Sequence, residues 1–373
     1  VKYYIIAGER SGDLHGGNLV KSLRKYDHQA TCRGFGGEEM QKAGVTLAVH
    51  YRELAFMGFI SLATSLIKIF RFISYCKKDI LEFKPDAIIL IDYGGFNLKI
   101  AMFAKSKGLT VFYYIPPKVW AWYQSRAWKL KKNVDRMFVI LPFEKEFFKN
   151  YNFEVDYVGN PVLDAIRSFQ PNPDFISKHG IDAHRKLVAL LPGSRKIELK
   201  LIVPLMAEIA DLNKDIQFMV AAVSNLPGDL YSSLKAKTNV RFVEGETYDL
   251  LKHADAAIVT SGTATLETAL FKVPQVVVYK TGGLEYAIAS RLVKVQFISL
   301  VNLIAGKEVI RELIQGTASK EIVNAELMKL LNDQQYYDTV KSEYEKLYQQ
   351  LDTGSASENT ARLITEYIKP EID

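Results

Sequence analysis

The chain reads as an α/β protein of two doubly wound parallel sheets, and three observations predict it. Ten short apolar, β-rich blocks recur along the sequence, separated by longer stretches of helical pattern. Most of the blocks are continuously apolar rather than alternating, which is what strands buried on both faces by helices require. The series also restarts part-way, after Asn160-Pro161 and a polar connection that carries Pro171 and Pro173.

The expected strands are 3–7, 87–91, 111–115, 136–140 and 155–158 in the first half. In the second half they are 187–191, 216–221, 240–243, 256–259 and 275–279. Most stop at Gly, Pro or Asp, as strands feeding tight turns do. At 373 residues the chain exceeds what one core usually serves. The expected division is a first Rossmann-like domain over 1–165, a second over 166–340, and a charged helical tail over 341–373 that packs back on the first. Two such halves imply a cleft between the carboxyl ends of their sheets, the edge at which these folds bind ligands.

Composition narrows the function classes. Apolar residues make up 48% and charged residues 24%, an ordinary globular balance. The net charge of +6 suits anionic ligands or an anionic membrane surface, and is too small to argue for nucleic acid, for which no module is present. Cys32 and Cys76 lack metal-ligand and CxxC spacing, so two free thiols in a reducing compartment are expected. No metal-ligand cluster or bound cofactor is expected. No run reaches the roughly 18 uncharged apolar residues of a membrane span. The nearest, 54–67, is broken by Lys68 and Arg71, and the opening strand is too short for a secretory signal. The expectation is a cytoplasmic protein able to touch a membrane.

Four loops carry candidate chemistry. The first, Gly8-Glu9-Arg10-Ser11-Gly12-Asp13, follows the first strand and opens a helix. Its glycines permit tight turns and close approach. Glu9 and Asp13 would repel phosphate and suit hydroxyl-bearing ligands, or Asp13 is a helix cap. The second, Gly193-Ser194-Arg195, opens the other half in the same way. An Arg beside a Gly-Ser turn places a fixed charge on a diphosphate, or is simply solvated. The third, Ser261-Gly262-Thr263-Ala264-Thr265-Leu266-Glu267, puts small residues at a helix start, where free N–H groups suit a pyrophosphate. Glu267, one turn in, accepts from ribose hydroxyls or serves as a capping partner. In the fourth, Asn302 stands among apolar neighbours and either ties loops together or reads a ligand.

Two further segments complete the list. Asp92 ends a very apolar strand, a setting that raises a carboxylate's pKa toward the working range of a general base; the alternative is a helix cap. Trp120, Trp122 and Trp128 lie close together among Arg126, Lys129, Lys131 and Lys132. Aromatics interleaved with cations suit a membrane interface or an amphiphilic, phosphate-bearing ligand, or they are a core cluster beside a solvated face. The run 54–76 is more apolar than the one stripe a surface helix needs, so it is a packed crossover helix or meets acyl chains.

Together these stretches resemble the lipid-A-disaccharide synthases. The matching residues are Ala7-Gly8-Glu9-Arg10-Ser11-Gly12-Asp13, Ile91-Asp92 with Phe96-Asn97, and Val119-Trp120-Ala121-Trp122. In the second half they are Leu191-Pro192-Gly193-Ser194-Arg195, Ser261 to Glu267, and Ser299-Leu300 with Asn302-Leu303 and Ala305-Gly306. Each motif alone is weak; six in order from residue 4 to about 315 are specific. The resemblance implies an inverting GT-B glycosyltransferase without a catalytic metal. It implies UDP-2,3-diacylglucosamine as donor, 2,3-diacylglucosamine 1-phosphate as acceptor, and work at the cytoplasmic face of the inner membrane. It implies Asp92 as base. Gly193, Ser194, Arg195, Ser261, Gly262, Thr263, Ala264, Thr265, Glu267 and Asn302 fall on the UDP side. Glu9, Ser11, Gly12, Asp13, Trp120, Trp122 and Arg126 fall on the acceptor side.

This chain also departs from the family pattern. Tyr93-Gly94-Gly95 stands where the family often has Ala-Pro-Asp, so a second Asp is missing. Pro116-Pro117-Lys118 replaces Ser-Pro-Ser, Asn160 stands in place of a His, and Val301 in place of a Pro. Other cleft enzymes of this architecture, a UDP-N-acetylglucosamine 2-epimerase or a murein-precursor glycosyltransferase, are the enzyme alternatives, and the apolar run and Trp cluster speak against an epimerase. A nucleotide-sugar-binding protein without catalysis is the remaining class.

Overall fold

The computed structural model describes residues 1–55, 62–283, 286–287 and 295–369. They form two compact units, one comprising Val1–Pro161 with Asp352–Asp373 and the other Val162–Leu351.

Unit 1 is built on a seven-stranded parallel sheet of β1 (Lys2–Ala7), β2 (Thr31–Gly36), β3 (Val45–His50), β4 (Ala87–Ile91), β5 (Thr110–Tyr114), β6 (Arg136–Val139) and β7 (Asp156–Tyr157). The strand order is β3-β2-β1-β4-β5-β6-β7. Every residue of β4 is inaccessible to solvent, which is why its sequence lacks alternation. One face is closed by the helices Leu62–Phe83 and Gly94–Ser106, the other by Arg10–Tyr26 and the last helix, Ala356–Ile368. Gly16, on the helix Arg10–Tyr26, allows close packing: a Cβ there would stand 2.7 Å from the Met40 sulfur.

Unit 2 repeats the plan with β8 (Leu187–Leu191), β9 (Gln217–Ala222), β10 (Val240–Glu244), β11 (Ala256–Thr260), β12 (Gln275–Tyr279) and β13 (Glu312–Ile314), in the order β10-β9-β8-β11-β12-β13. In each sheet the order reverses beside the first strand, between β1 and β4 and between β8 and β11. Such switch points splay the following loops apart and leave a crevice at the carboxyl edge. The loops after β1, β4, β8 and β11 are those the sequence singled out.

Several expectations are corrected. β2, β3 and β13 were not among the expected strands: β2 contains Arg33, Gly34 and Gly36, and β13 is only three residues long. The boundary falls at 161/162, not near 165. The polar stretch 170–174 is not a linker: Phe169 packs edge-on against Tyr248 and Phe271, and the Asn172 N–H donates to Asp249 at 2.7 Å, all within unit 2. The tail does not begin at 341. The helix Gln334–Leu351 stays in unit 2, where buried Tyr344 accepts from Gln275, and only the segment from 352 joins unit 1.

The apolar run 54–76 divides. Residues 56–61 lie outside those described. Beyond them, Ile73 and Cys76 are buried in the unit 1 core, while Phe70 is exposed beneath the Lys99 ammonium, 4.4 Å from its ring centre. The helix is thus a packed crossover with at least one aromatic left outward. Cys32 and Cys76 are separate buried thiols, and burial raises both, Cys32 to about 11.

Candidate active site

In unit 1 the decisive residue is Asp92. It ends β4 in the left-handed region, with φ of 46°, and Tyr93 follows at 49°. A side-chain-bearing residue there costs on the order of 1–3 kcal/mol and persists only where the surroundings fix it. They do: the Asp92 carbonyl accepts from Asn97 Nδ2 at 2.8 Å and from the Tyr113 hydroxyl at 2.7 Å. Its N–H lies 3.3 and 3.2 Å from the Tyr114 and Ile115 carbonyls. Burial raises the carboxyl above the ordinary Asp range, against the lowering effects of the Tyr93 N–H and the Lys118 charge. Asp92 is not the cap of the following helix, whose N-cap is Tyr93. The Tyr93 ring covers Gly8, where a Cβ would come within 2.3 Å of it. The side chain that replaces the family's Ala thus packs on the first loop.

The first loop is otherwise more structural than expected. Asp13 is buried and belongs to another element's backbone: Oδ1 accepts from Gly37 N–H (2.7 Å) and Met40 N–H (3.0 Å), and Oδ2 from Glu39 N–H (3.0 Å). These are the free amides at the start of the helix Glu38–Lys42, so Asp13 caps that helix and is removed from the acceptor set. Gly12 is buried against Ala7 and serves packing. Glu9 and Ser11 are exposed.

The tryptophans separate. Trp120 is buried, and its indole N–H donates to Glu144 Oε1 at 3.1 Å, so it is a core anchor and not an acceptor contact. Trp122 and Trp128 are half exposed, Tyr123 slightly more, and the Arg126 guanidinium lies 4.9 Å from the Tyr123 ring centre. Glu144 was not singled out by sequence. It is buried, and its Oε2 accepts from the Ile140 and Leu141 amides at 3.2 and 3.0 Å. Burial pushes its carboxyl up to about 7, against the opposing pull of those amides, Trp120 and Lys118. Its signal was readable as an acidic residue in the first turn of the helix Phe143–Lys149 that follows β6.

In unit 2 the loop after β8 is filled by one of the protein's own carboxylates. Gly193 has φ of 106°, and the space beside it is filled by Glu198: a Cβ there would lie 2.4 Å from Oε2. That oxygen accepts from the Ser194 and Arg195 amides at 3.0 and 3.1 Å. The protein's own carboxylate therefore occupies these two amides, and the exposed side chains of Ser194 and of Arg195, the latter paired with Glu198 at 3.4 Å, remain as candidate contributors.

The loop after β11 differs. Ser261 donates its N–H to the Val278 carbonyl and its Oγ–H to the Ile298 carbonyl at 2.9 Å. The Thr265 hydroxyl and amide both turn back to the Gly262 carbonyl. Among the described residues, the amides of Gly262, Thr263 and Ala264 have no protein acceptor, at the start of the helix Thr263–Leu270. Glu267 is not a capping partner. Its Oε1 accepts from Tyr248 Oη at 3.0 Å, and burial raises its carboxyl.

Asn302 is removed from the donor-binding set. It is fully buried and every polar atom of its side chain is used: Nδ2 donates to the Ile310 carbonyl and Glu312, and Oδ1 accepts from the Val309 and Ile310 amides. It ties loops together.

A family model described as lipid-A-disaccharide synthetase matches residues 3–365. The chain belongs to the lipid-A-disaccharide synthase family. The lipid-A-disaccharide synthase of Syntrophus aciditrophicus is 39% identical over 372 residues, covering 98% of this chain and 97% of that protein. That of Geobacter sulfurreducens is 36% identical with 99% and 97% covered, and that of Coxiella burnetii 33% identical with 98% of both. Solved structures share the fold: a putative UDP-N-acetylglucosamine 2-epimerase from Listeria monocytogenes has a TM-score of 0.70 at 14% identity, covering 99% of this chain and 97% of that one. A calicheamicin glycosyltransferase has 0.65 at 13%, covering 100% and 98%. Both units therefore form a GT-B fold, and the activity is glycosyl transfer in lipid A disaccharide synthesis, from a UDP-sugar to a lipid acceptor. The epimerase reading is set aside by the family match, since the epimerases share fold at low identity only. Among the described residues no helix is long and apolar enough to cross a membrane.

Two predictions follow from this geometry. Asp13→Asn exchanges an acceptor for a donor facing three amides, so urea denaturation should show a loss of about 1–3 kcal/mol, while the acceptor KM of the folded fraction stays unchanged. Glu144 binds its proton more tightly folded than unfolded, so between the ordinary Glu pKa of 4.5 and about 7 the folded state holds more protons. Stability must then fall as pH rises through that window. Denaturation at pH 5 and pH 8 should show the fall in the native protein and a smaller one in Glu144→Gln; equal slopes would rule Glu144 out as its source.

Proposed function

We propose that Asp92 is the general base of the transfer. It takes the proton from the 6-hydroxyl of 2,3-diacylglucosamine 1-phosphate as that oxygen attacks the anomeric carbon of UDP-2,3-diacylglucosamine. The new C1–O6 bond forms as the bond from C1 to the diphosphate oxygen breaks, and the electron pair leaves with UDP. Attack opposite the leaving group inverts the centre and gives the β-1,6 disaccharide 1-phosphate. The supporting observation is the buried, raised Asp92 carboxyl on a backbone fixed by Asn97 and Tyr113. Raising the pKa of a carboxylate base toward the working pH gives it more driving force to take the proton.

On unit 2, the amides of Gly262, Thr263 and Ala264 take the departing diphosphate, with the Arg195 guanidinium as mobile counter-charge. Preorganised N–H donors stabilise developing charge without reorganisation. Glu267, steadied by Tyr248, has a second oxygen for ribose hydroxyls. Glu9, Ser11, Trp122 and Arg126 remain as acceptor-side contacts.

Trp122, Tyr123 and Trp128, with Arg126, Lys129, Lys131 and Lys132, form a surface suited to the headgroup layer of an anionic bilayer. This supports peripheral attachment at the cytoplasmic face of the inner membrane, where a lipid acceptor resides.

Asp92→Asn should lower kcat by about 10²–10⁴-fold and leave the UDP Kd unchanged, with disaccharide measured by mass spectrometry after incubation with both substrates. Activity within tenfold of the native enzyme would move the base elsewhere. The double variant Trp122→Ala, Trp128→Ala should co-sediment with phosphatidylglycerol vesicles at least about tenfold less, since each indole offers on the order of 100 Å² of apolar surface at ~25 cal/mol/Å². Unchanged sedimentation would exclude this face as the attachment site.

A further inference from the structure

We infer that Glu312 is a positioning residue for the diphosphate-binding loop, acting through Ile298 and Ser261. Its carboxylate, on β13, gathers four donors. Oε2 accepts from the Ile298 N–H at 2.8 Å. Oε1 accepts from the Ser299 N–H at 3.0 Å, the Ser299 Oγ–H at 2.6 Å and Asn302 Nδ2 at 2.8 Å. No Lys, Arg or His pairs with it among the described residues. Among the described residues its charge is met by these four directional donors, each bond strengthened by the ionised acceptor.

The consequence reaches the loop after β11. With the amides of Ile298 and Ser299 clamped, the Ile298 carbonyl is held where Ser261 Oγ donates to it at 2.9 Å. Ser261 is bonded on its other side to the Val278 carbonyl, so the loop is fixed through backbone and side chain together. The amides of Gly262, Thr263 and Ala264 come directly after. Asn302 holds the same carboxylate and anchors the 309–310 backbone, so its fully internal bonding is part of this tether. Glutamine cannot replace Glu312 without conflict, because its NH₂ group would oppose one of the four donors and leave both unpaired.

The inference rests on the reading that these three amides take the diphosphate, and the experiment separates the two. UDP is titrated calorimetrically into the full chain and into Glu312→Gln, Ser261→Ala, their double variant and Thr263→Pro. Proline is tolerated at a first helical position and deletes the Thr263 N–H, together with the threonine hydroxyl. Thr263→Pro should weaken UDP at least about tenfold, which corresponds to 1.4 kcal/mol. Glu312→Gln should raise the UDP Kd and the donor KM by at least as much and leave the acceptor KM within twofold. The double variant should lose less than the sum of the two single losses, because both act on one tether. Loss of affinity in Thr263→Pro with native affinity in a folded Glu312→Gln overturns the tether alone. Native affinity in Thr263→Pro overturns the diphosphate reading and the tether with it. Should Glu312→Gln fail to fold, Ser261→Ala carries the test: an unchanged UDP Kd overturns the proposal.

Discussion

Parallel sheets present a recurring constraint at their carboxyl edges: each strand ends in a loop whose amides need acceptors. A buried N–H without one is costly, so nearly all find partners. In this protein, four carboxylates fill much of that need. Asp13 takes three amides at 37–40, Glu144 takes two at 140–141, Glu198 takes two at 194–195, and Glu312 takes two at 298–299. A bond to an ionised acceptor is stronger than a neutral one, so where these carboxylates are charged they hold the loops after β2, β6, β8 and β12 firmly.

Against that background the loop 262–264 stands apart. Its amides resemble those of the other loops, yet among the described residues no side chain answers them. The contrast with the loop after β8 is the more telling because the two motifs look alike in sequence. Gly193 approaches its neighbour closely to admit the Glu198 carboxylate, whereas beside Gly262 there is open space. A glycine-rich turn before a helix is therefore ambiguous. In one loop it serves an internal anion and in the other no side chain among the described residues fills it, and only the three-dimensional position of a carboxylate tells the two apart.

That distinction marks how far the sequence was legible. Continuous apolar runs located ten of the thirteen strands, because burial on both faces leaves a direct composition signal. Of the three others, β2 is glycine-bearing, β13 is very short, and β3 is interrupted by Thr46 and only partly buried. Asp92 was visible as a carboxylate ending a buried strand. The roles of Asp13 and Asn302 were not, since each depends on which backbone groups the fold brings alongside. For Asp13 those groups are 24 to 27 residues away. Glu144 was closer to legible, being an acidic residue in the first turn of a helix, but its burial against Trp120 comes from a segment 24 residues earlier.

Asp92 itself shows how the fold makes a site out of an unfavourable conformation. Asp92 and Tyr93 both occupy the left-handed region, and so does Ile115 at the end of the neighbouring strand, φ 57°. A relaxed chain would place glycines there. Three side-chain-bearing residues persist because Asn97, Tyr113 and the β5 carbonyls saturate the Asp92 backbone, which leaves its side chain as the part free for chemistry. The strand behind it stays fully buried. Burial raises the carboxyl's proton affinity, and the Tyr93 N–H and the Lys118 charge oppose that rise. A cap would need no such strain, because a residue in ordinary extended geometry can cap a helix. The left-handed turn is sustained instead by the bonds that Asn97, Tyr113 and the Tyr114 and Ile115 carbonyls make to the Asp92 backbone.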